Sequence, residues 1–239
     1  MPKMTTSRTD PPLYDQIAAA YAAKVDTSPY NALYERPAML ALLPPVQGRD
    51  LLDAGCGSGW YSEQFIARGA RVTAMDASSV IAAYTQARVG NRAVVHVADL
   101  AHPLQFAADS QFDVIVSPLV LHYLPTWEPT LREFHRVLRP GGHLVFSTHH
   151  PGSEAERLGT TAYFDTELVE ETWEDVGQVR FYRRPLSAIF EALSATGFLT
   201  EQVVEPRPTD ALRIAAPAAY ERLLQRPAFL LVRARRESE

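Results

Sequence analysis

Between residues 49 and 149 short apolar runs alternate with longer amphipathic stretches. Leu51-Leu52, Arg71 to Met75, Ala93 to Ala98, Phe112 to Ser117 and His143 to Thr148 are each bounded by glycine, aspartate or proline and read as strands. Phe112-Asp113-Val114-Ile115-Val116-Ser117 is continuous enough to be covered on both faces. The intervening segments Trp60 to Arg68, Ser79 to Arg88 and Thr126 to Leu138 read as helices, the last with Leu131, Phe134, Val137 and Leu138 at helical spacing. Pro140-Gly141-Gly142 is expected to end that helix before the fifth strand. The alternation predicts an α/β fold, a doubly wound, mostly parallel sheet with right-handed crossovers.

The pattern is less regular on either side. An Ala-rich helix is expected from Asp15 to Val25, with Tyr14 and Tyr21 on one face, and a second from Tyr34 to Leu43, stopped by Pro44-Pro45. Residues 151 to 184 are polar and aromatic, with Tyr163, Phe164, Trp173, Phe181 and Tyr182 but no clean period; so long a connection is expected to carry structure of its own, often a lid or binding loop. Ser187 is expected to cap a helix to Thr196 closed by Gly197. Phe198 to Val204 and Ala228 to Ala234 read as the sixth and seventh strands. One domain is expected: an N-terminal helical cap (1–48), a ligand-binding core (49–150), an inserted substrate cap (151–184) and a C-terminal part of the core (185–239).

Composition narrows the partners. With 239 residues and 46% hydrophobic content the chain can bury one full core. The net charge is −5, Lys3 and Lys24 are the only lysines, and the arginines are scattered rather than patched, which argues against a nucleic-acid partner held by its phosphates. Cys56 is the single cysteine, so neither a disulfide framework nor a Cys-rich metal site is expected. The polar start and the lack of any run near ~18 apolar residues give the expectation of a cytoplasmic protein without a membrane partner.

The candidate chemistry is concentrated after the first strand, in Leu51-Leu52-Asp53-Ala54-Gly55-Cys56-Gly57-Ser58-Gly59. Asp76 and Asp99 follow at steps of 23 residues, the length of one strand-helix unit, so three carboxylates should share one edge of the sheet. The glycines let the backbone approach a ligand and aim amide N–H groups at it. Asp53 stands where a dinucleotide would bring its pyrophosphate; a carboxylate there repels phosphate but attracts the ammonium and sulfonium of S-adenosylmethionine. Asp76 is positioned to accept from ribose hydroxyls and Asp99 from an adenine amine, with Leu100 against the ring, although each aspartate alone also suits a strand-end turn.

These residues resemble the class I S-adenosylmethionine-dependent methyltransferases. The glycine stretch looks like the family's cofactor motif, and Val72-Thr73-Ala74-Met75-Asp76-Ala77-Ser78 is similar to its ribose-binding segment. Phe112 to Ser117 with Leu119-Val120-Leu121-His122-Tyr123-Leu124 resembles its fourth-strand region, and Leu138-Arg139-Pro140-Gly141-Gly142-His143-Leu144-Val145-Phe146-Ser147 its turn into the fifth. Tyr182 to Ser187 and Ala195 to Phe198 look like a bacterial small-molecule subgroup (methyltransferase type 11-like). The resemblance implies a seven-stranded sheet with an antiparallel last strand and S-adenosylmethionine as cofactor, released as S-adenosylhomocysteine. It implies that Gly55, Cys56 and Gly57 border the methionine moiety, Asp53 faces its amino group, Asp76 holds the ribose, Ala77, Asp99 and Leu100 border the adenine, and the Ser117 carbonyl lies near the amine. Trp60 departs from the small or polar residue expected there and suits either core packing or a cofactor contact.

Methyl transfer requires alignment, exclusion of water and, for a protonated acceptor, a base. His122 beyond the fourth strand and His149 and His150 beyond the fifth are the candidates, His149 foremost; His150, before Pro151, also suits a turn-fixing role. Adjacent histidines on extended chain point to opposite faces, so no metal site is expected. Tyr14 and Tyr21 suit either closure over cofactor and substrate or ordinary helix packing. Arg183-Arg184 reads as a substrate anion site or a solvated charge pair. The expectation is methylation of a small organic acceptor, with an RNA methyltransferase of the same fold or a non-catalytic S-adenosylmethionine-binding protein as alternatives. The aromatics of the cap leave a homodimer contact open.

Overall fold

The computed structural model describes residues 25–173 and 177–237. The expected helix from Asp15, with Tyr14 and Tyr21, lies outside the described residues apart from Val25. A π-turn Asn31–Glu35 leads into α1 (Arg36–Leu42), which stops where Leu43 turns extended (ψ 139°) ahead of Pro44. The central units follow: β1 (Asp50–Ala54), α2 (Trp60–Ala67), β2 (Arg71–Asp76), α3 (Ser79–Val89), β3 (Ala93–Val97), β4 (Phe112–Pro118), α4 (Glu128–Val137) and β5 (Leu138–His149).

The chain then forms α5 (Pro151–Leu158), a hairpin of β6 (Glu167–Trp173) and β7 (Gly177–Arg183), α6 (Leu186–Ala195), β8 (Phe198–Val204), α7 (Asp210–Ala215), α8 (Pro217–Gln225) and β9 (Phe229–Arg236). The seven-stranded sheet has the order β3-β2-β1-β4-β5-β9-β8, with β9 antiparallel to both neighbours and the β6-β7 hairpin separate.

Period-2 alternation sorts the strands onto two cores. Leu52, Ile115, Leu144, Phe146 and Val232 face one side, under Leu131 and Phe134 of α4 and Ile189 and Leu193 of α6. Leu51, Val114, Val116, Val145 and Leu231 face the other, against Met39, Leu42 and Phe65. With both faces covered, β1 and β4 tolerate no solvated position except at their ends. The C-terminal ends of β1, β4 and β5 therefore lie side by side, and ligands of such sheets bind beyond that edge.

Two segments gain detail and two expectations change. Residues 151–184 carry structure of their own, a helix and a hairpin, with Val169, Val179 and Phe181 buried on one hairpin face and Glu170–Arg180 paired at 2.8 Å on the strands. Charges on the open face of the hairpin, Glu170 and Arg180 among them, hide its alternation in the sequence. Residues between Pro206 and Pro227, which carried no structural expectation, form α7 and α8. Ser187 does not cap α6: Pro185 occupies the N-cap without a side-chain bond, its fixed φ of −68° already leading into the helix. Pro140-Gly141-Gly142 does not precede the fifth strand but lies within it. β5 starts at Leu138 opposite Phe112, and the register jumps so that Val114 meets His143.

Candidate functional site

The glycine loop turns out of β1 with its amides already engaged. Gly55 and Cys56 N–H donate to the Met75 carbonyl (2.9 and 2.8 Å), Gly57 N–H to Asp76 Oδ2 (3.1 Å) and Gly59 N–H to the Cys56 carbonyl (3.0 Å). The expectation that these amides aim at a ligand is thus corrected: the loop binds itself to β2 and offers no nest for a phosphate. Two of its glycines are required by packing. A Cβ on Gly55 would lie 2.3 Å from Val120 Cγ2, and one on Gly59 3.0 Å from the Thr85 backbone. Cys56 is buried, and burial raises its thiol pKa, so it fills space rather than reacts.

Asp53 is completely buried. Its Oδ2 accepts from Ser62 Oγ at 2.6 Å, while Oδ1 has no partner among the described residues. Burial, with Asp76 nearby, pushes its pKa up to about 7. Such a carboxyl has one oxygen waiting for a donor. Asp76 is half-buried and also accepts from Ser78 N–H at 3.0 Å; Ala77 beside it is exposed. Ser117 is buried and donates to the Ala54 carbonyl at 3.0 Å, tying the ends of β4 and β1 together. Asp99 is half-exposed and caps its own turn through Ala101 N–H (2.9 Å), with His102 Nδ1 at 3.6 Å; Leu100 behind it belongs to the core.

An open cleft lies over the loop, lined by Gly55, Gly57, Ser58, Trp60, Glu35 and Arg36 among others. Trp60 lies on its wall, under the Arg36 guanidinium at 4.2 Å. Sequence reasoning missed Glu35, Arg36 and Asp26. Glu35 is buried between Tyr61 Oη and Ser147 Oγ, each donating at 2.6 Å, and burial pushes its pKa up to about 6. Arg36 pairs with Asp26 at 3.2 Å, and Asp26 also accepts from Ser58 Oγ (3.0 Å) and pairs with Arg88, joining the segment before α1 to the loop and to α3. A signal was present: Glu35 falls in line with Met39 and Leu42 at helical spacing, a carboxylate on an apolar face.

Beyond β4 and β5 the candidate histidines separate. The rings of His122 and His149 are stacked, with centroids 4.2 Å apart and planes 16° from parallel. Among the described residues, His122 Nδ1 and Nε2 and His149 Nδ1 have no hydrogen-bond partner; the nearest carboxylate to His149 is Glu154, at 4.0 Å from Nδ1. Burial lowers both pKa values, that of His122 well below 6.5, so both rings are neutral at pH 7. Phe181 of the hairpin stands edge-on to His149, with centroids 4.6 Å apart. His150 is engaged through both nitrogens, accepting from Ser153 N–H (3.2 Å) as the N-cap of α5 and lying 2.8 Å from Glu205 Oε1. It fixes the turn rather than facing the histidine pair.

Arg183 and Arg184 are both buried, which corrects the solvated charge pair. Among the described residues no group of three or more His, Cys, Asp or Glu is arranged to hold a metal ion, and no helix is long and apolar enough to cross a membrane.

Comparison with known proteins follows this geometry. The family model described as a methyltransferase domain matches residues 52–146. The chain is similar to the crystal structure of an S-adenosylmethionine-dependent methyltransferase from Mesorhizobium loti, with 33% identity, a TM-score of 0.75 and coverage of 89% of this chain and 100% of that one. It is 38% identical over 106 residues to malonyl-[acyl-carrier protein] O-methyltransferase of Erwinia billingiae, covering 43% of this chain and 39% of that protein. It is 34% identical over 131 residues to the human thiol S-methyltransferase TMT1B, covering 53% and 52%. The chain thus spans about half or less of these two relatives.

Proposed function

The chain belongs to the S-adenosylmethionine-dependent methyltransferases, and on that premise we propose that it methylates a small organic acceptor over the ends of β4 and β5, with His149 as the base. The observation that carries this reading is the buried His122–His149 stack, whose unpartnered nitrogens lie beyond β4 and at the end of β5, in the sheet whose β4 also pairs with β1.

The residues present fit the cofactor. The unpartnered Oδ1 of Asp53 suits the cofactor's ammonium, and Arg36 on the cleft wall suits its carboxylate. Asp76 would accept from the ribose, with Ala77, Asp99 and Leu100 on the adenine side, toward β2 and β3. Gly55, Cys56, Gly57 and the Ser117 carbonyl would border the methionine part. When bound, S-adenosylmethionine supplies an electrophilic methyl on a sulfonium. With adenosine toward β2 and β3 and methionine over β1, the acceptor's remaining place is over β4 and β5.

There the chain's own residues do three things. The hairpin and the aromatic rings keep water from the acceptor. The strand ends hold acceptor and methyl in line. Neutral His149 accepts the acceptor's proton, and Glu154 is near enough to favour the imidazolium that forms. His122 supports the His149 ring by stacking. The segment 151–184 acts as the acceptor cap, and the two named relatives, an O- and an S-methyltransferase, support a small-molecule acceptor class.

The test is transfer of label from methyl-labelled S-adenosylmethionine to the small-molecule fraction of a cell extract, beside its RNA fraction. Label in small molecules that is lost in His149→Ala supports the reading. Label confined to RNA, or S-adenosylhomocysteine binding with no transfer to either fraction, overturns it.

A further inference from the structure

Two consecutive arginines close the hairpin, and hydrogen bonding accounts for only one of them. Arg183 has a fully buried side chain: Nε meets Glu167 at 3.0 Å, and its other nitrogens donate to the carbonyls of Tyr163 (2.9 Å), Ala162 (3.0 Å) and Asp165 (2.5 Å). It is a structural pin. Arg184 is 8% exposed and differently furnished. Its Nη2 donates to the Leu124 carbonyl at 2.6 Å, its guanidinium carbon lies 4.4 Å from the Trp127 ring centroid, and its buried Nε has no partner. Among the described residues no carboxylate oxygen lies within 4.0 Å of it.

A guanidinium removed from water without a counter-charge is unfavourable, and an aromatic face compensates only in part. Burial lowers the Arg184 pKa to about 10, which still leaves it charged at neutral pH. Its charge acts on His122, whose own nitrogens are unpartnered. The region next to the histidine stack therefore holds a buried positive charge, neutral imidazoles and the ring of Phe181. The negative group that acts on Arg184, Glu128, lies beyond ion-pair distance, so no carboxylate among the described residues pairs with it directly.

We propose that Arg184 determines acceptor specificity by pairing with a carboxylate, so that the acceptor is a small carboxylic acid with an apolar body. The carboxylate meets the free Nε–H, the apolar part lies against Phe181, and the atom to be methylated reaches His149. This inference rests on the acceptor position proposed above.

The experiment uses the full chain saturated with S-adenosylhomocysteine. Benzoate, phenylacetate and 3-phenylpropanoate are titrated beside their amides and beside phenyl phosphate, and binding is read by melting temperature and calorimetry. At least one acid should bind at millimolar concentration about tenfold tighter than its amide and than phenyl phosphate, and Arg184→Gln should remove that preference. Arg184→Gln should keep wild-type affinity for S-adenosylhomocysteine, which shows that the variant is folded. If it does not fold, Arg184→Lys is tested for partial retention of the preference. Equal binding of acids and amides, no binding of any acid, tighter binding of phenyl phosphate, or an acid preference that survives in Arg184→Gln overturns the proposal. Failure of the methyltransferase reading would show separately, as absence of S-adenosylhomocysteine binding to the wild type.

Discussion

His149, the last residue of β5, and His122, in a short 3-10 turn (Leu121–Tyr123) beyond β4, meet face to face, centroids 4.2 Å apart, with three of their four ring nitrogens unpartnered among the described residues. Neutral rings can stack in this way, whereas two imidazolium ions would repel. Both pKa values are accordingly depressed by burial, and His122 is lowered further by the charges of His149 and Arg184.

The two histidines should separate in kinetics. His149→Ala is expected to lower kcat about 100-fold at saturating cofactor, and His122→Ala less than about tenfold, because only His149 has a nearby carboxylate to stabilise its protonated form. Initial rates with the identified acceptor measure this. Equal losses in both variants, or none, would show that His149 is not the base.

The same pair makes stability depend on pH. The unfolded chain takes up protons near 6.5 while the folded rings resist, so stability is present above that value and lost as pH falls through the interval below it. Urea midpoints should be lower at about pH 5 than at about pH 7, and the difference should shrink in His122→Phe. An unchanged difference would assign the acid sensitivity to other groups.

Asp53 is expected to make cofactor binding depend on pH as well. Its pKa of about 7 means that the carboxyl is largely protonated in mild acid and must ionise to hold an ammonium. S-adenosylhomocysteine affinity should therefore be about tenfold weaker at about pH 6 than at about pH 8, and Asp53→Asn should bind weakly at both. Calorimetry at the two pH values decides it, and a pH-dependent affinity in the asparagine variant would rule out Asp53 as the titrating group.

Glu35 supports the cleft from beneath. Glu35→Ala leaves the Tyr61 and Ser147 hydroxyls without their acceptor in a buried site, at an expected cost of about 3 kcal/mol, while Glu35→Gln keeps one acceptor oxygen and should cost about 1 kcal/mol. Urea unfolding measures both.

Gly55→Ala should be among the most damaging single changes. The new methyl would overlap Val120 Cγ2, and φ is +87°, where a Cβ is disfavoured, so a loss of about 3 kcal/mol or more is expected. Adding Val120→Ala removes the overlap but not the backbone strain, so the double variant should recover only part of the loss. Full recovery would show that φ contributes nothing.

Much of the fold was legible because local chemistry and sheet burial agree. The glycines, the strand-end aspartates and the apolar runs of β1 and β4 each mark their place without reference to distant residues. The hairpin was not legible. Its pattern depends on which face the histidine pair and α5 cover, and two short strands cannot announce that. Glu35 and Arg36 were hidden for a similar reason, since a charge on an apolar helix face reads as noise until Tyr61, Ser147 and Trp60 are known to surround it.

The sequence by itself determined the doubly wound architecture and the glycine loop after the first strand, because these follow from periodicity and from residues adjacent in the chain. Only the tertiary structure decided that the Gly55, Cys56 and Gly57 amides are spent on β2, that His150 is a helix cap while His149 stacks on His122, and that Arg184 is buried without a directly paired carboxylate. Hydrogen-bond satisfaction and burial are properties of groups far apart in sequence, and no spacing rule encodes them.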